Sequence, residues 1–137
     1  MGRRPNGYPR PKRGKGVEKV TLEDAFDSIE EYWDPRIAGE LNGQAVKLAN
    51  VEGEFVWHHH DEADELFFVV EGTLRLEFRD DADVTLEAGE FLVVPRGVPH
   101  RPVAEEETRL LLFEPTETRN TGNVENERTR TDLDRLD

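Results

Sequence analysis

Hydrophobic positions along the chain follow two repeats, first the period of a helix and then that of a strand. Between residues 21 and 33 (TLEDAFDSIEEYW) apolar side chains recur every three or four positions, which is typical of an amphipathic helix. The members of this stripe are Leu22, Ala25, Phe26, Ile29 and Trp33. Thr21 is a suitable N-cap, and Asp34-Pro35 should end the helix because a residue before proline disfavours helical backbone. We expect this helix to cover an apolar face of the domain.

From residue 37 onward, apolar and polar positions alternate as they do in half-buried β-strands. The candidate strands are Ile37–Leu41, Gln44–Val51, Glu54–His60, Glu65–Glu71, Thr73–Arg79, Asp83–Leu86, Glu90–Val94, His100–Val103 and Arg109–Glu114. Turns rich in Gly, Asn and Asp separate them at near-regular spacing. This pattern predicts an all-β fold, a small antiparallel β-barrel or sandwich over about residues 37–114.

The strand predicted at residues 65–71 is apolar at nearly every position, so both of its faces should be covered. One face would look into the barrel, and the other would lie against a second sheet or a second subunit. This favours a homodimer.

Both ends of the chain differ in composition from its middle. Residues 1–16 contain six basic and no acidic side chains and little that could be buried, which predicts a basic disordered tail. Residues 117–137 are polar, with Val124, Leu133 and Leu136 as their only large apolar side chains. They could form a short helix near residues 128–136, or a flexible tail that docks on a partner subunit or over the barrel mouth. The predicted folded domain is therefore residues 17–116.

Composition narrows the functional classes. The chain has 137 residues, enough for one domain, and a net charge of −13, which argues against nucleic acid as a partner. It has no cysteine, so disulfides, thiolate metal sites and a cysteine nucleophile are excluded. The apolar run at residues 66–70 is far shorter than the roughly 20 residues that span a bilayer, and no secretory signal is evident. We expect a cytoplasmic protein without membrane contact.

All four histidines lie in two short stretches, His58-His59-His60 and His100. Alternate side chains of a strand share a face, so His58 and His60 should point the same way and His59 the other way. A hairpin through the acidic turn at residues 61–64 could bring Glu65 beside them. Three imidazoles and one carboxylate, without sulfur, suit one divalent transition metal such as Fe, Mn, Ni, Co or Zn.

These spacings resemble the two signatures of the cupin superfamily. The first is His58-x-His60-x4-Glu65-x6-Gly72, and the second is Gly89-x5-Pro95-x-Gly97-x2-His100. There are two departures, because Gly53 stands one residue closer to the first histidine than the signature asks, and Ala104 replaces a closing asparagine. The chain is also similar to compact single-domain cupins often labelled mannose-6-phosphate isomerase-like.

The resemblance implies a fold, a metal site and an assembly. The fold is a jelly-roll-like barrel, a double-stranded β-helix, with one metal inside near its mouth. The implied ligands are His58, His60, Glu65 and His100. Small cupins commonly pair, which adds to the expectation of a homodimer.

Three further side chains are candidates for binding a small-molecule substrate. Phe67 shares strand parity with Glu65 and should line the cavity, although a core position is the alternative. Arg96 and Arg101 flank the second signature and could clamp an anionic ligand, or could simply be surface charges.

Two functional hypotheses follow. The first is an enzyme, dioxygenase-like or isomerase-like, whose metal has open positions for a small organic molecule. The second is a non-catalytic sensor or carrier module, and a purely structural zinc site is a third reading. A further ionisable group in the cavity would favour the enzyme, and we identify none from the sequence.

Overall fold

The alternating region of the chain forms seven antiparallel strands in a computed structural model that describes residues 17–131 and 133–136. The helix α1 spans Leu22–Asp27, and the strands are β1 Arg36–Leu41, β2 Gln44–Glu54, β3 Glu65–Glu71, β4 Thr73–Phe78, β5 Val84–Glu87, β6 Phe91–Val94 and β7 His100–Pro115. The basic tail predicted for residues 1–16 lies outside the described residues. Within the described ranges, no helix is long and apolar enough to cross a membrane.

Strand β7 organises the sheet because it pairs with three other strands. Its second half lies between β2 and β3, and its first half pairs with β4 and with the end of β2. Strands β1, β6 and β5 add to β2, β3 and β4 respectively. Two sheets that share one long strand form the double-stranded β-helix, so the predicted all-β barrel is confirmed.

The strands differ most from the prediction at two places. The strands predicted at 100–103 and 109–114 are one continuous strand, because the exposed glutamates at 105–107 keep extended backbone where the two sheets meet. Residues 55–60 are not a regular strand. They follow a register shift between Val51 and Gly53. A hydrogen bond of 2.9 Å from the Phe55 N–H to the Pro102 carbonyl oxygen and an isolated bridge between His58 and His100 join them to β7.

The helix ends six residues earlier than the predicted 21–33 range. After Asp27, the side-chain amide of Asn50 donates hydrogen bonds to the carbonyl oxygens of Phe26 and Ile29, at 3.0 and 3.2 Å. Carbonyl groups at a helix end need such partners, and β2 provides one here.

The apolar stripe that predicted the longer helix is divided between two cores. Phe26 and Ile29 pack outside the barrel against Leu48 of β2. Trp33 has a φ of 58° and belongs to the barrel interior instead. Its position in the helical repeat is therefore a coincidence of spacing.

The barrel interior is filled by apolar side chains from most of the strands. The fully or nearly fully buried members include Val51, Phe67, Val69, Leu74, Leu76, Leu86, Val94, Ala104, Leu110 and Leu112. They fill the barrel interior except at one end, where buried polar groups form the candidate site.

The outer face of β3 and its neighbours carries a second apolar surface. The register places Phe113, Leu66 and Val93 in one row across β7, β3 and β6, and Leu111, Phe68 and Phe91 in the next row. Phe91 and Val93 on the edge strand β6 are 61% and 46% exposed. We call these six residues the outer patch.

Replacing Phe26 by Ala should lower the free energy of unfolding by about 3 kcal/mol, since a buried aromatic side chain leaves a cavity behind. Val20→Ala is the control, because Val20 is 49% exposed and should cost less than about 0.5 kcal/mol. Urea denaturation measures both. Equal losses in the two variants would contradict the packing of α1 described above.

Candidate metal centre

Four side chains from separate segments meet at one end of the barrel. His58 and His60 lie between β2 and β3, Glu65 begins β3 and His100 begins β7. Each is 7% exposed or less, and one ligand atom from each lies within 4.8 Å of the others. The structure thus brings together the four residues that the sequence singled out.

Backbone carbonyl groups orient two of the rings. His58 Nδ1 lies 2.9 Å from the carbonyl oxygen of Val56, and His100 Nδ1 lies 2.9 Å from that of Val98. A ring that donates its Nδ1–H to a carbonyl keeps Nε2 as a lone-pair donor. This arrangement is common for metal-binding histidines.

Three buried polar atoms of the cluster have no hydrogen-bond partner among the residues that the structure describes. Glu65 Oε1 lies 3.2 Å from His60 Nε2 and 3.4 Å from His100 Nε2, but neither contact has hydrogen-bond geometry. Buried polar atoms without a partner are costly and rare in folded proteins. A divalent cation between these atoms would satisfy all three, so the residues fit such an ion.

The electrostatic environment favours the protonation states in which His58 and Glu65 can bind a metal ion. Burial, together with repulsion from His100, lowers the pKa of His58 to about 4. Burial alone would raise the pKa of Glu65, but neighbouring His100 and His60 outweigh it and hold that pKa well below its usual range. Near pH 7 His58 is therefore a neutral imidazole and Glu65 a carboxylate, as metal binding requires.

Two ionisable residues in the cavity were missed by the sequence reasoning. Lys47 Nζ donates hydrogen bonds to Glu114 Oε2 and to the carbonyl oxygen of Thr118, both at 3.1 Å. The side chains of Lys47 and Glu114 are almost fully buried. Burial and the adjacent Glu65 raise the pKa of Glu114 well above its usual range. The cavity therefore contains further ionisable groups that we did not identify from the sequence.

The alternation of inward and outward positions along the strands could have predicted that Lys47 and Glu114 are buried. Lys47 shares strand parity with Ala45, Ala49 and Val51, and all three are buried. Glu114 stands in the same relation to Leu110 and Leu112 of β7. A charged residue on the inward face of each of two strands predicts a buried ion pair.

The cavity beside the cluster is small and partly aromatic. Its volume is about 40 Å³, room for about two or three water molecules. Its walls include Trp33, Lys47, Phe55, His58, Glu65, Phe67, Glu114 and Asn120. Phe67 lies on this wall, with its ring 5.8 Å from that of His100 in an edge-on arrangement.

Three other residues considered from the sequence lie away from this cavity. Arg96 is exposed, and its backbone N–H bonds Asp64. Arg101 contacts Glu77 at 2.7 Å. The His59 ring is 31% exposed, lies 2.9 Å from Asp61 and is not part of the cluster that contains His58 and His60.

A double-stranded β-helix that gathers three imidazoles and a carboxylate at one end defines a cupin with a candidate metal centre. The chain matches the family model described as Cupin domain over residues 46–127, and it belongs to that family.

Several known proteins are similar to this chain. It is 45% identical over 62 residues to the uncharacterized protein YdbB of Bacillus subtilis (strain 168), covering 45% of this chain and 55% of that protein. It is 32% identical over 101 residues to 3-hydroxyanthranilate 3,4-dioxygenase of Xenopus laevis, covering 69% of this chain and 36% of that protein. This chain therefore spans 55% or less of either relative.

A solved structure is similar over most of its length. The crystal structure of a cupin-2 domain containing protein from Shewanella frigidimarina NCIMB 400 is 47% identical, with a TM-score of 0.68. The match covers 70% of this chain and 93% of that one.

The contribution of His58 to the stability of the ion-free protein should be lost as the pH falls from 6.5 to 4. In this window His58 gains a proton in the unfolded chain while the folded state keeps it neutral, so the unfolded state binds more protons. The contribution is at most about 3 kcal/mol, from 1.36 kcal/mol per pKa unit.

Urea unfolding in the presence of EDTA, at several pH values, measures this loss. The variant His58→Gln should lose less stability than the wild type over the same window. Parallel curves for the two proteins would contradict the depressed pKa.

Proposed function

We propose that the chain binds one divalent transition metal through His58, His60, Glu65 and His100 and acts on a small organic molecule. The observation that carries the proposal is a set of three buried ligand atoms that have no hydrogen-bond partner in the described part of the chain, namely His60 Nε2, Glu65 Oε1 and His100 Nε2. The ligand types favour Fe, Mn, Ni, Co or Zn.

The chemistry would be dioxygenase-like or isomerase-like. A bound ion of this class supplies Lewis acidity toward an oxygen-bearing ligand and, for iron or manganese, redox chemistry with dioxygen. The similarity to 3-hydroxyanthranilate 3,4-dioxygenase favours the oxygenase reading.

Residues around the cluster would prepare the site for this role. The carbonyl groups of Val56 and Val98 hold the His58 and His100 rings with Nε2 directed away from them. Lys47 and Glu114 place two further ionisable groups on the cavity wall. Such groups favour an enzyme over an inert binding module, because they could hold or accept a proton near a bound ligand.

Phe67, Arg96 and Arg101 remain proposed ligand contacts of different kinds. Phe67 faces the cavity and would pack against a bound molecule. Arg101 is engaged by Glu77, and Arg96 lies at the surface, so either would reach an anionic ligand only after a rearrangement.

His60→Ala and His100→Ala should each lower metal content from about one equivalent to well below half, because each removes one of four ligands. His59→Ala is the matched control and should keep the wild-type content, since its ring lies outside the cluster. Elemental analysis of protein purified without a chelating tag measures this content. Loss of the ion in His59→Ala, with retention in His60→Ala, would overturn the assignment.

The enzymatic part of the proposal has its own test. Protein loaded with Fe(II) or Mn(II) is supplied with catechols, thiols, diketones and sugar phosphates, while oxygen uptake and products are followed. Turnover that disappears in His100→Ala supports the enzyme.

The small volume of the cavity favours a second candidate, a non-catalytic sensor or carrier. This module would hold the ion and bind a small molecule without converting it. Ligand-dependent stabilisation of the metal-loaded protein, without turnover on any substrate of the panel, would favour this candidate over the enzyme.

We also propose that the protein is a homodimer that pairs through the outer patch. The patch contains six apolar and no charged side chains, whereas the chain as a whole has a net charge of −13. Two copies should repel each other over most of their surface and attract each other here. The patch continues to β6, which ends the strand order of the sheet.

Phe91→Glu should shift the protein from dimer to monomer in light scattering after size-exclusion chromatography, since two like charges would face each other across the interface. Leu41→Glu is the control, because Leu41 is 49% exposed but lies on β1, away from the patch. A wild-type monomer at micromolar concentration, or a dimer that persists in Phe91→Glu, would contradict pairing through this face.

A further inference from the structure

A short segment after β7 crosses the end of the barrel beside the candidate ligands. We call Thr118–Asn123 the strap. At one end, the backbone N–H of Asn123 donates to the carbonyl oxygen of His59 at 3.0 Å, and the side-chain Oδ1 of Asn123 accepts from the His59 N–H at 2.8 Å. The strap is therefore bonded to the backbone between His58 and His60.

Gly122 packs directly on this backbone. It has a φ of +55°, and a Cβ at this position would overlap the carbonyl oxygen of His59 and lie 3.0 Å from Cδ2 of the His58 ring. Only glycine, which has no side chain, fits at position 122 against these two histidines. The close approach restricts where the His58 ring can lie.

The other end of the strap reaches the buried ion pair. The carbonyl oxygen of Thr118 accepts a hydrogen bond from Lys47, which also bonds Glu114. Glu114 in turn lies beside Glu65, whose negative charge contributes to the raised pKa of Glu114. The strap thus contacts the candidate ligand His58 and the backbone of His59 directly, and at its other end it bonds Lys47 of the buried ion pair on the cavity wall.

The strap is also ordered by its own contacts. Thr121 is fully buried, and its hydroxyl lies 2.7 Å from that of Thr129. The side chain of Asn120 bonds the backbone of Arg128 and Arg130, at 2.8 and 2.6 Å. These bonds give the strap a defined shape before any ion is bound.

On its outer side, the strap borders an open groove of about 340 Å³ that is also lined by His60, Asp61 and Glu62. On its inner side, Asn120 lines the small cavity beside the cluster. The strap therefore lies between the small cavity and the groove, and the candidate ligand His60 borders the groove directly.

We infer that the strap is an integral part of the metal centre, with Gly122 and Asn123 as positioning residues for His58. The inference rests on the proposed metal binding. If the docked strap holds His58 in its ligating position, ion binding must in turn stabilise strap docking, because such coupling is reciprocal. Partners that orient a metal ligand typically contribute about 10- to 100-fold to metal affinity.

The test measures Zn²⁺ and Mn²⁺ affinity by chelator competition in the full chain and its variants. Gly122→Ala should weaken binding by about 10-fold or more, because the added methyl group displaces the strap or the His58 ring. Gly43→Ala is the matched control. It has a φ of +78° but open space around its Cβ, so it carries the backbone strain without the clash and should bind as the wild type does.

A second variant adds no volume. Asn123→Ala removes the acceptor of the His59 N–H and should weaken binding by about threefold or more, with Asn126→Ala as its control. Asn126 accepts from Arg128 and does not touch the histidines, so Asn126→Ala should leave affinity unchanged. If Gly122→Ala does not fold, this pair decides the inference.

Hydrogen exchange gives a readout independent of affinity. Adding Zn²⁺ to the wild type should slow exchange of the Asn123 and His59 amides by about 10-fold, and this protection should be lost in Asn123→Ala. Unchanged affinity in Gly122→Ala and Asn123→Ala, or no ion-dependent protection of these amides, would overturn the inference. A wild type that binds no ion would instead overturn the proposed function, so the two failures are distinguishable.

Discussion

Two backbone hydrogen bonds between His58 and His100 set the geometry on which the rest of the site depends. The His58 N–H donates to the His100 carbonyl at 3.0 Å, and the His100 N–H donates to the His58 carbonyl at 2.9 Å. This bridge joins an irregular segment to the start of β7 and brings two imidazoles within 4.4 Å, centre to centre. The backbone N–H of Gly97 adds a bond of 2.7 Å to the carbonyl of His60, which holds the next loop against the same segment.

The barrel accepts an unusual number of polar groups at this end. Three imidazoles, two carboxylates and an ammonium group are almost fully buried there, although apolar side chains would pack with less loss of hydration. Lys47 and Glu114 compensate each other, whereas the cluster around Glu65 is left incompletely bonded. Such a concentration of incompletely bonded polar groups in an otherwise apolar interior is what is expected of a functional site.

The sequence predicted the barrel and the cluster well because both depend on local spacing. Alternation placed His58 and His60 on one side and His59 on the other, even though residues 55–60 form no regular strand. Sequence patterns did not predict the features that depend on contacts between residues far apart in the chain. Asn50 ends the helix from another element, and Trp33 joins the barrel interior, so a stripe of apolar residues could not give the length of α1. The contact of Gly122 with His59 joins residues 63 positions apart, and no pattern along the chain indicates it.

The continuity of β7 has a consequence for how related chains can vary in length. His100 and Glu114 face the same interior because an even number of positions separates them along one uninterrupted strand. Inserting or deleting a single residue within it would turn one of these side chains toward solvent, whereas a change of two residues would preserve both orientations. Length variation among homologues in this stretch should therefore come in pairs, or be absorbed by a compensating bulge.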